Sequence, residues 1–202
     1  MTRSVLFAGA AFALLAFPAL ADVSKNPKAA PKGSYEMDPT HTTLTFCTMH
    51  MGLSNYCGRF NKAQGTLVFN GSEPEKSKLS VTIDVASLDT ASDKLDGKLR
   101  DELFKTAKHP TATFKSTKIS VTGENAGEIT GDLTVSGVTK PVTLKTTFNG
   151  GTMHPFANAY ALGFSAEGKF KRSEFGLTDM PGEQFASDEV TLYIDSEFIA
   201  KK

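Results

Sequence analysis

The sequence predicts a mainly β protein: a closed antiparallel barrel of about eight strands, with one amphipathic helix inserted near residues 92–106. Three observations carry this prediction. Apolar and polar residues alternate with the two-residue period of half-buried strands, turn-forming residues separate the alternating stretches, and only one stretch has helical spacing. Because closing a sheet removes its exposed edges, up-and-down strands in this number are expected to close.

The N-terminal residues 1–21 have the three parts of a secretory signal. Arg3 supplies the positive charge, residues 5–17 are apolar, and Ala19-Leu20-Ala21 is a cleavage site of the A-x-A type. We therefore expect export, with cleavage after Ala21. The apolar run is shorter than the ~20 residues of a membrane-spanning helix, so a membrane anchor is not expected.

Residues 22–33 hold three Lys and two Pro but almost no large apolar residue. This composition predicts a flexible leader. The remaining residues, 34–202, show no internal repeat and no second domain, and we expect them to form one barrel domain.

Alternation predicts the strands in chain order, and they fall at residues 42–49, 58–69, 79–85, 111–121, 129–135, 142–148, 159–170 and 189–199. The clearest pair spans residues 129–148. Leu133 and Val135 share one strand face there, as Leu144 and Phe148 do in the next strand. Gly137 and Pro141 separate the two strands with turn chemistry, so the pair is predicted to be an antiparallel hairpin.

The helix prediction rests on Leu95, Leu99 and Leu103, which lie four residues apart among charged residues. Ser92 or Asp93 is the expected N-cap, and Pro110 prevents any continuation beyond it. A leucine stripe at this spacing is expected to pack as the face that covers the sheet.

Composition narrows the function classes. Lys and Arg total 22 and so do Asp and Glu, so no charge field favours nucleic acid or an anionic membrane. There is no Trp but there are 15 Phe, which suits a large apolar interior, either core or cavity. The sequence contains none of the common hydrolase, metalloprotease or phosphate-binding motifs, so an enzyme is not expected. The residues alone thus favour an exported barrel that carries something apolar.

Two cysteines, Cys47 and Cys57, are the only ones in the chain. In an exported protein a disulfide between them is the expected state. The alternative is a metal site, because His50 follows Cys47 by three residues; the other histidines lack ligand spacing.

Several motifs stand in the order of a known family: Tyr35-x-x-Asp38-x-x-His41, His50-Met51-Gly52, Gly58-x-Phe60, Leu99-Arg100, His109-Pro110, residues 131–142, Gly163-Phe164-x-Ala166 and Arg172-Ser173-x-Phe175-Gly176. Together they resemble the YceI-like family of bacterial periplasmic proteins, which has a lipocalin-like fold. The resemblance runs over residues 35–199. It implies a periplasmic protein with a long apolar pocket for isoprenoids or other long-chain lipids.

The resulting hypothesis is a non-catalytic carrier of a long-chain isoprenoid, such as a quinone tail or a polyprenyl lipid, with no cofactor besides that ligand. The predicted apolar lining consists of Phe46, Leu67, Phe104, Phe114, Leu133, Phe148, Phe164 and Phe170. His50 and Arg172 are the candidates for binding a head group at the mouth. Arg can pair with a phosphate, and a neutral His can donate to a quinone carbonyl.

Other interpretations stay open at this point. Each lining residue can equally be ordinary core, His50 can close a turn, and Arg172 can pack over Phe175. The chain can also be a stress-response or structural protein with a filled core. A third class is a metal or redox accessory protein that uses Cys47, Cys57 and His50. Homodimerisation is open as well.

Overall fold

The computed structural model describes residues 22–179 and 185–201, so the predicted signal segment lies outside the described residues. In the described part of the chain the elements are β1 (Gly33–His50), β2 (Ser54–Phe60), β3 (Ala63–Phe69), β4 (Lys78–Asp84), β5 (Leu88–Asp89), α1 (Asp93–Lys98), β6 (Thr111–Val121), β7 (Ala126–Val135), β8 (Val138–His154), β9 (Ala159–Lys171) and β10 (Ala186–Ala200). None of its helices has the length and hydropathy needed to cross a membrane.

The strands form one closed antiparallel barrel. The order is β10-β9-β8-β7-β6-β4-β3-β1, and β1 pairs again with β10 to close the ring. The long strand β1 pairs with β3 near its start and with β2 near its end. Strands β2 and β3 therefore act as one strand interrupted at Asn61 and Lys62. Counted in this way, the barrel has eight strands. The predicted barrel is confirmed.

The β7–β8 hairpin has the predicted two-faced pattern. Leu133 and Val135 on β7 and Leu144 and Phe148 on β8 are all buried. The turn is shorter than predicted and consists of Ser136-Gly137. Both residues have positive φ (49° and 80°), a conformation that matches the right-handed twist of the two strands. Pro141 lies inside β8 and faces Asp132 on β7, but β8 meets β9 only from Leu144 onward. Its missing N–H therefore costs no strand pairing on that side.

The predicted helix over residues 92–106 is shorter in the structure. Ser92 is the N-cap, and its side chain accepts the N–H of Leu95. The α-helix ends at Lys98 and continues as a π-helical turn, Leu99–Leu103. Lys105 then takes a left-handed φ of 51°, which ends the helical path because non-glycine residues seldom continue from that conformation.

One end of the barrel is filled by aromatic rings. We call this group the aromatic cluster: Tyr35, Phe69, Phe148, Phe164 and Phe198. Its ring centroids lie 5.4–6.2 Å apart, within the range of favourable ring pairs.

The segment predicted as a flexible leader packs against the barrel. The backbones of Ser24 and Gly151 exchange two hydrogen bonds, at 3.0 and 2.9 Å. Ala30 is buried, and the hydroxyl of Tyr35 donates to the carbonyl of Pro31 at 2.6 Å. The leader is thus held by backbone pairing and by one tyrosine anchor, neither of which its own composition reveals.

Candidate functional site

The other end of the barrel, beneath the helix, holds an apolar cavity of about 500 Å³. This volume is within the range of small-molecule sites. Strands β1, β2, β7 and β10 supply most of its wall residues, β4, β6 and β9 supply one each, and α1 with the following π-turn closes one side. Most lining residues are aliphatic or aromatic, and they include Leu44, Phe46, Phe60, Leu95, Leu99, Leu103, Phe104, Leu133, Val135, Phe170, Leu177, Val190, Leu192 and Ile194.

The residues predicted to line a pocket divide into two groups. Four of them line this cavity: Phe46, Phe104, Leu133 and Phe170. The other four lie outside it and pack in the core: Leu67, Phe114, Phe148 and Phe164. Phe148 and Phe164 belong to the aromatic cluster at the opposite end. All eight pack inward. Phe148 and Phe164 lie at the opposite end, whereas Phe114 is the cross-strand partner of Leu133 and still does not line the cavity.

The leucine stripe of the helix is more than a cover for the sheet. Leu95, Leu99 and Leu103 pack against the core and also line the cavity. The sequence carried a signal for other lining residues as well. Leu44 has the same strand parity as Phe46, and Leu192 has the same parity as Ile194, so each pair shares a face.

Polar groups near the cavity wall are satisfied by the protein itself. The hydroxyl of Tyr56 donates to the carbonyl of Thr90 at 3.1 Å. The backbone N–H and the hydroxyl of Thr90 both donate to Oδ1 of Asp96, at 2.8 and 2.6 Å. Among the described residues, no buried side-chain nitrogen or oxygen lacks a partner. The wall therefore presents hydrocarbon, which favours an apolar ligand held by shape.

Arg172 lines the cavity, and its side chain is buried. Its guanidinium donates to three carbonyls: to Leu177 from Nη1 at 2.7 Å, to Ser187 from Nε at 3.2 Å and to Ala186 from Nη2 at 3.2 Å. These bonds tie Leu177 and the first two residues of β10 to Arg172. Within the described part of the chain Arg172 forms no ion pair.

His50 also lines the cavity but is exposed at the end of β1. Its ring lies 6.4 Å from that of Tyr56 on β2. Tyr56 and Phe185 likewise line the cavity while remaining partly exposed. These three residues mark the rim where the cavity reaches the surface.

Cys47 and Cys57 form a disulfide across β1 and β2, as the sequence predicted. The proposed metal site built on Cys47, Cys57 and His50 is wrong for this state, because the two sulfurs are bonded to each other and no thiolate remains to bind a metal. The disulfide instead ties together the two strands that carry His50 and Tyr56.

A cluster of polar side chains lies away from the cavity, on the outside of the barrel. Asp38, His41 and Glu197 are the one set of three or more metal-ligating side chains that converge within the described residues. His41 Nδ1 is 2.8 Å from Oδ2 of Asp38. Partial burial would raise the pKa of Asp38, but hydrogen bonds from His41 and Thr40 lower it to about 2. The hydrogen bond to Asp38, with the charges of Asp38 and Glu197, raises the pKa of His41.

A family model described as a YceI-like domain matches residues 35–198. The chain belongs to the YceI-like family. The similarity extends along its whole length: Protein YceI from Escherichia coli is 38% identical over 203 residues, which covers 100% of both chains. The family resemblance drawn from the motifs is confirmed.

Solved structures show the fold of YceI-like proteins. The Campylobacter jejuni YceI protein matches with a TM-score of 0.69 and 32% identity, covering 74% of this chain and 88% of that one. A polyisoprenoid binding domain from Saccharophagus degradans matches with a TM-score of 0.64 over 83% of this chain and 98% of that one. At 18% identity this second likeness shows a shared barrel fold alone.

Proposed function

We propose that this protein is a non-catalytic periplasmic carrier that binds one long-chain isoprenoid, such as a quinone tail or a polyprenyl lipid, inside the barrel. The observation that carries the proposal is the apolar cavity of about 500 Å³ beneath the helix. A filled-core structural protein has no need of such a space, because protein interiors normally pack without large voids.

The energetics of the cavity suit a lipid tail. Each buried methylene contributes roughly 0.8 kcal/mol, so ten of them contribute about 8 kcal/mol before ordering costs. A net value of that size corresponds to a micromolar dissociation constant, so burial of the tail is of the order that binding needs. Polar contacts are therefore not needed for useful affinity, which agrees with the internal pairing of Tyr56, Thr90 and Asp96.

The proposal gains support from a structural neighbour. The Saccharophagus degradans domain, which shares the barrel, is named for binding polyisoprenoid. We extend this ligand class to the present chain because its own cavity is lined by hydrocarbon. The bound lipid is the only ligand in the proposal, and no further cofactor takes part.

Two side chains are the candidates for contacting a polar head group. Arg172 holds a buried positive charge in the cavity wall, and its three hydrogen bonds use three of the five N–H groups of a guanidinium. It suits a phosphate. His50 at the rim suits a quinone carbonyl. Arg172 would bind the ligand if its head group is a phosphate, and His50 would bind it if the head group is a quinone.

Periplasmic residence is part of the proposal. The predicted signal with cleavage after Ala21 supports it, and so does the disulfide between Cys47 and Cys57, which persists in oxidising compartments.

Native mass spectrometry tests the carrier function. The protein is purified without detergent from the periplasm of its native host, weighed intact and then denatured to release and identify lipid. We expect one bound species with the mass of an isoprenoid, on a chain that begins at Asp22. A bare protein mass, together with no binding of added quinones or polyprenyl phosphates, overturns the carrier function.

A further inference from the structure

Five large apolar side chains are exposed around the tip of the β1–β2 hairpin. We call them the tip patch: Met49, Met51, Leu53, Tyr56 and Phe185. Leu53 is 79% exposed, although it is a large hydrocarbon side chain. Phe185 adjoins the tip because its carbonyl accepts the N–H of Met51 at 3.1 Å. Scattered apolar residues are normal on protein surfaces, but several gathered around one hairpin tip indicate a binding surface.

The tip also lacks formal charge. Residues 44–58 contain no Asp, Glu, Lys or Arg, whereas these residues make up 22% of the whole chain. Such a surface offers no electrostatic match to an acidic or basic partner. Its Met, Leu and aromatic side chains suit the boundary between lipid head groups and acyl chains, where Tyr is also favoured.

The tip patch is continuous with the cavity, and this continuity selects its occupant. Tyr56 and Phe185 belong to both. A hydrocarbon chain that moved between a bilayer and the cavity past these two side chains would remain in apolar contact and avoid water. We propose that the tip patch docks on a lipid bilayer and that the cavity exchanges its lipid with the membrane through this contact. The inference rests on the proposed carrier function.

Contacts within the protein fix the conformation of the hairpin tip in the absence of a membrane. The disulfide between Cys47 and Cys57 joins its strands, and the N–H of Met49 donates to Oγ of Ser187 at 3.0 Å. In the turn, Met51 and Gly52 both have positive φ, and the N–H of Leu53 donates to the carbonyl of His50 at 2.9 Å. Docking thus needs no refolding of the hairpin.

Vesicle flotation tests the docking. Protein verified to lack residues 1–21 is mixed with vesicles of phosphatidylethanolamine and phosphatidylglycerol, and the bound fraction is measured for wild type, Met51→Ser/Leu53→Asp and Phe156→Asp. Phe156, which is 93% exposed in the β8–β9 turn at the opposite end of the barrel, is the matched control. We expect the tip variant to lose at least about tenfold in partitioning and the control to match wild type.

Because the tip carries no formal charge, the binding should survive both high salt and the replacement of phosphatidylglycerol by phosphatidylcholine. Equal flotation of the tip variant and wild type overturns the docking, and so does a wild type that never floats. A tip variant that changes only the sedimentation mass of the protein assigns the patch to a second copy of the chain and overturns it too.

A separate readout distinguishes failure of the docking from failure of the carrier function. Met51 and Leu53 do not line the cavity, so the tip variant should bind a polyprenyl probe added from ethanol as well as wild type does. Its transfer of that probe from vesicles should be slower. If neither protein binds the probe, the carrier function fails, while the flotation result still decides whether the tip docks.

Discussion

The ion pair of His41 with Asp38 shows how single residues shape this protein outside the cavity. Asp38 on β1 lies directly opposite Glu197 on β10, and two like charges in that arrangement repel. His41 reaches back to Asp38 from the register shift that follows it, and the charge of Glu197 helps raise the pKa of His41. A protonated His41 therefore relieves the repulsion where the barrel closes.

Substituting His41 tests this pair. Because folding raises the pKa of His41, its contribution is fully present below the unfolded value near 6.5 and is lost as pH rises through the folded pKa. The lowered pKa of Asp38, about 2, keeps the carboxylate charged down to that pH. We expect wild type to exceed His41→Asn in unfolding free energy more at pH 5 than at pH 9, measured by urea titration. An equal difference at both pH values would contradict the assignment.

Residue-level reasoning predicted which way side chains face but not how deep they sit. Phe46 and Phe148 both point inward, as parity requires, yet only Phe46 lines the cavity. Depth along the barrel depends on strand tilt and on the stagger between strands, which alternation does not encode. The same limit explains why Leu44 and Phe60 were not predicted as lining.

At the scale of elements, the β1–β2 hairpin depends on its disulfide. Cys47 and Cys57 are cross-strand partners, and the bond spans a ten-residue separation. On the chain-entropy account, closing a loop of this length stabilises the fold by about 2–3 kcal/mol. Cys47→Ser/Cys57→Ser should lose that amount in urea unfolding and retain the barrel by circular dichroism. A double variant as stable as wild type would show that the strand pairings of β1 and β2 hold the hairpin without the bond.

The helix shows where sequence reasoning about an element stops. Leucine spacing predicted its apolar face, and Ser92 was correctly among the expected N-caps. Asp96 is one of the charged residues between these leucines, yet it is buried, and Thr90 supplies two donors to its carboxylate. Such a partner lies outside the helix, so no helical pattern contains it. The spacing of apolar residues also does not predict the π-turn after Lys98.

The whole molecule is divided along the barrel axis. The aromatic cluster and the packed leader fill one end, whereas the helix and the hairpin tip surround a hollow at the other. The strand pattern predicted the closed barrel, and the abundance of Phe predicted a large apolar interior. Neither predicted which end is hollow, because that depends on the volumes of side chains that meet only after the strands close.

The central claim, that the cavity beneath the helix is where lipid binds, is tested most directly by filling it. Ala112 on β6 lines the cavity, and its neighbour Thr113 does not. We would measure equilibrium binding of a radiolabelled polyprenyl alcohol to wild type, Ala112→Phe and Thr113→Phe, with urea unfolding to establish that each is folded. We expect Ala112→Phe to lose at least about tenfold in affinity and Thr113→Phe to bind as wild type does. Wild-type affinity in a folded Ala112→Phe variant would contradict the claim and place the ligand elsewhere.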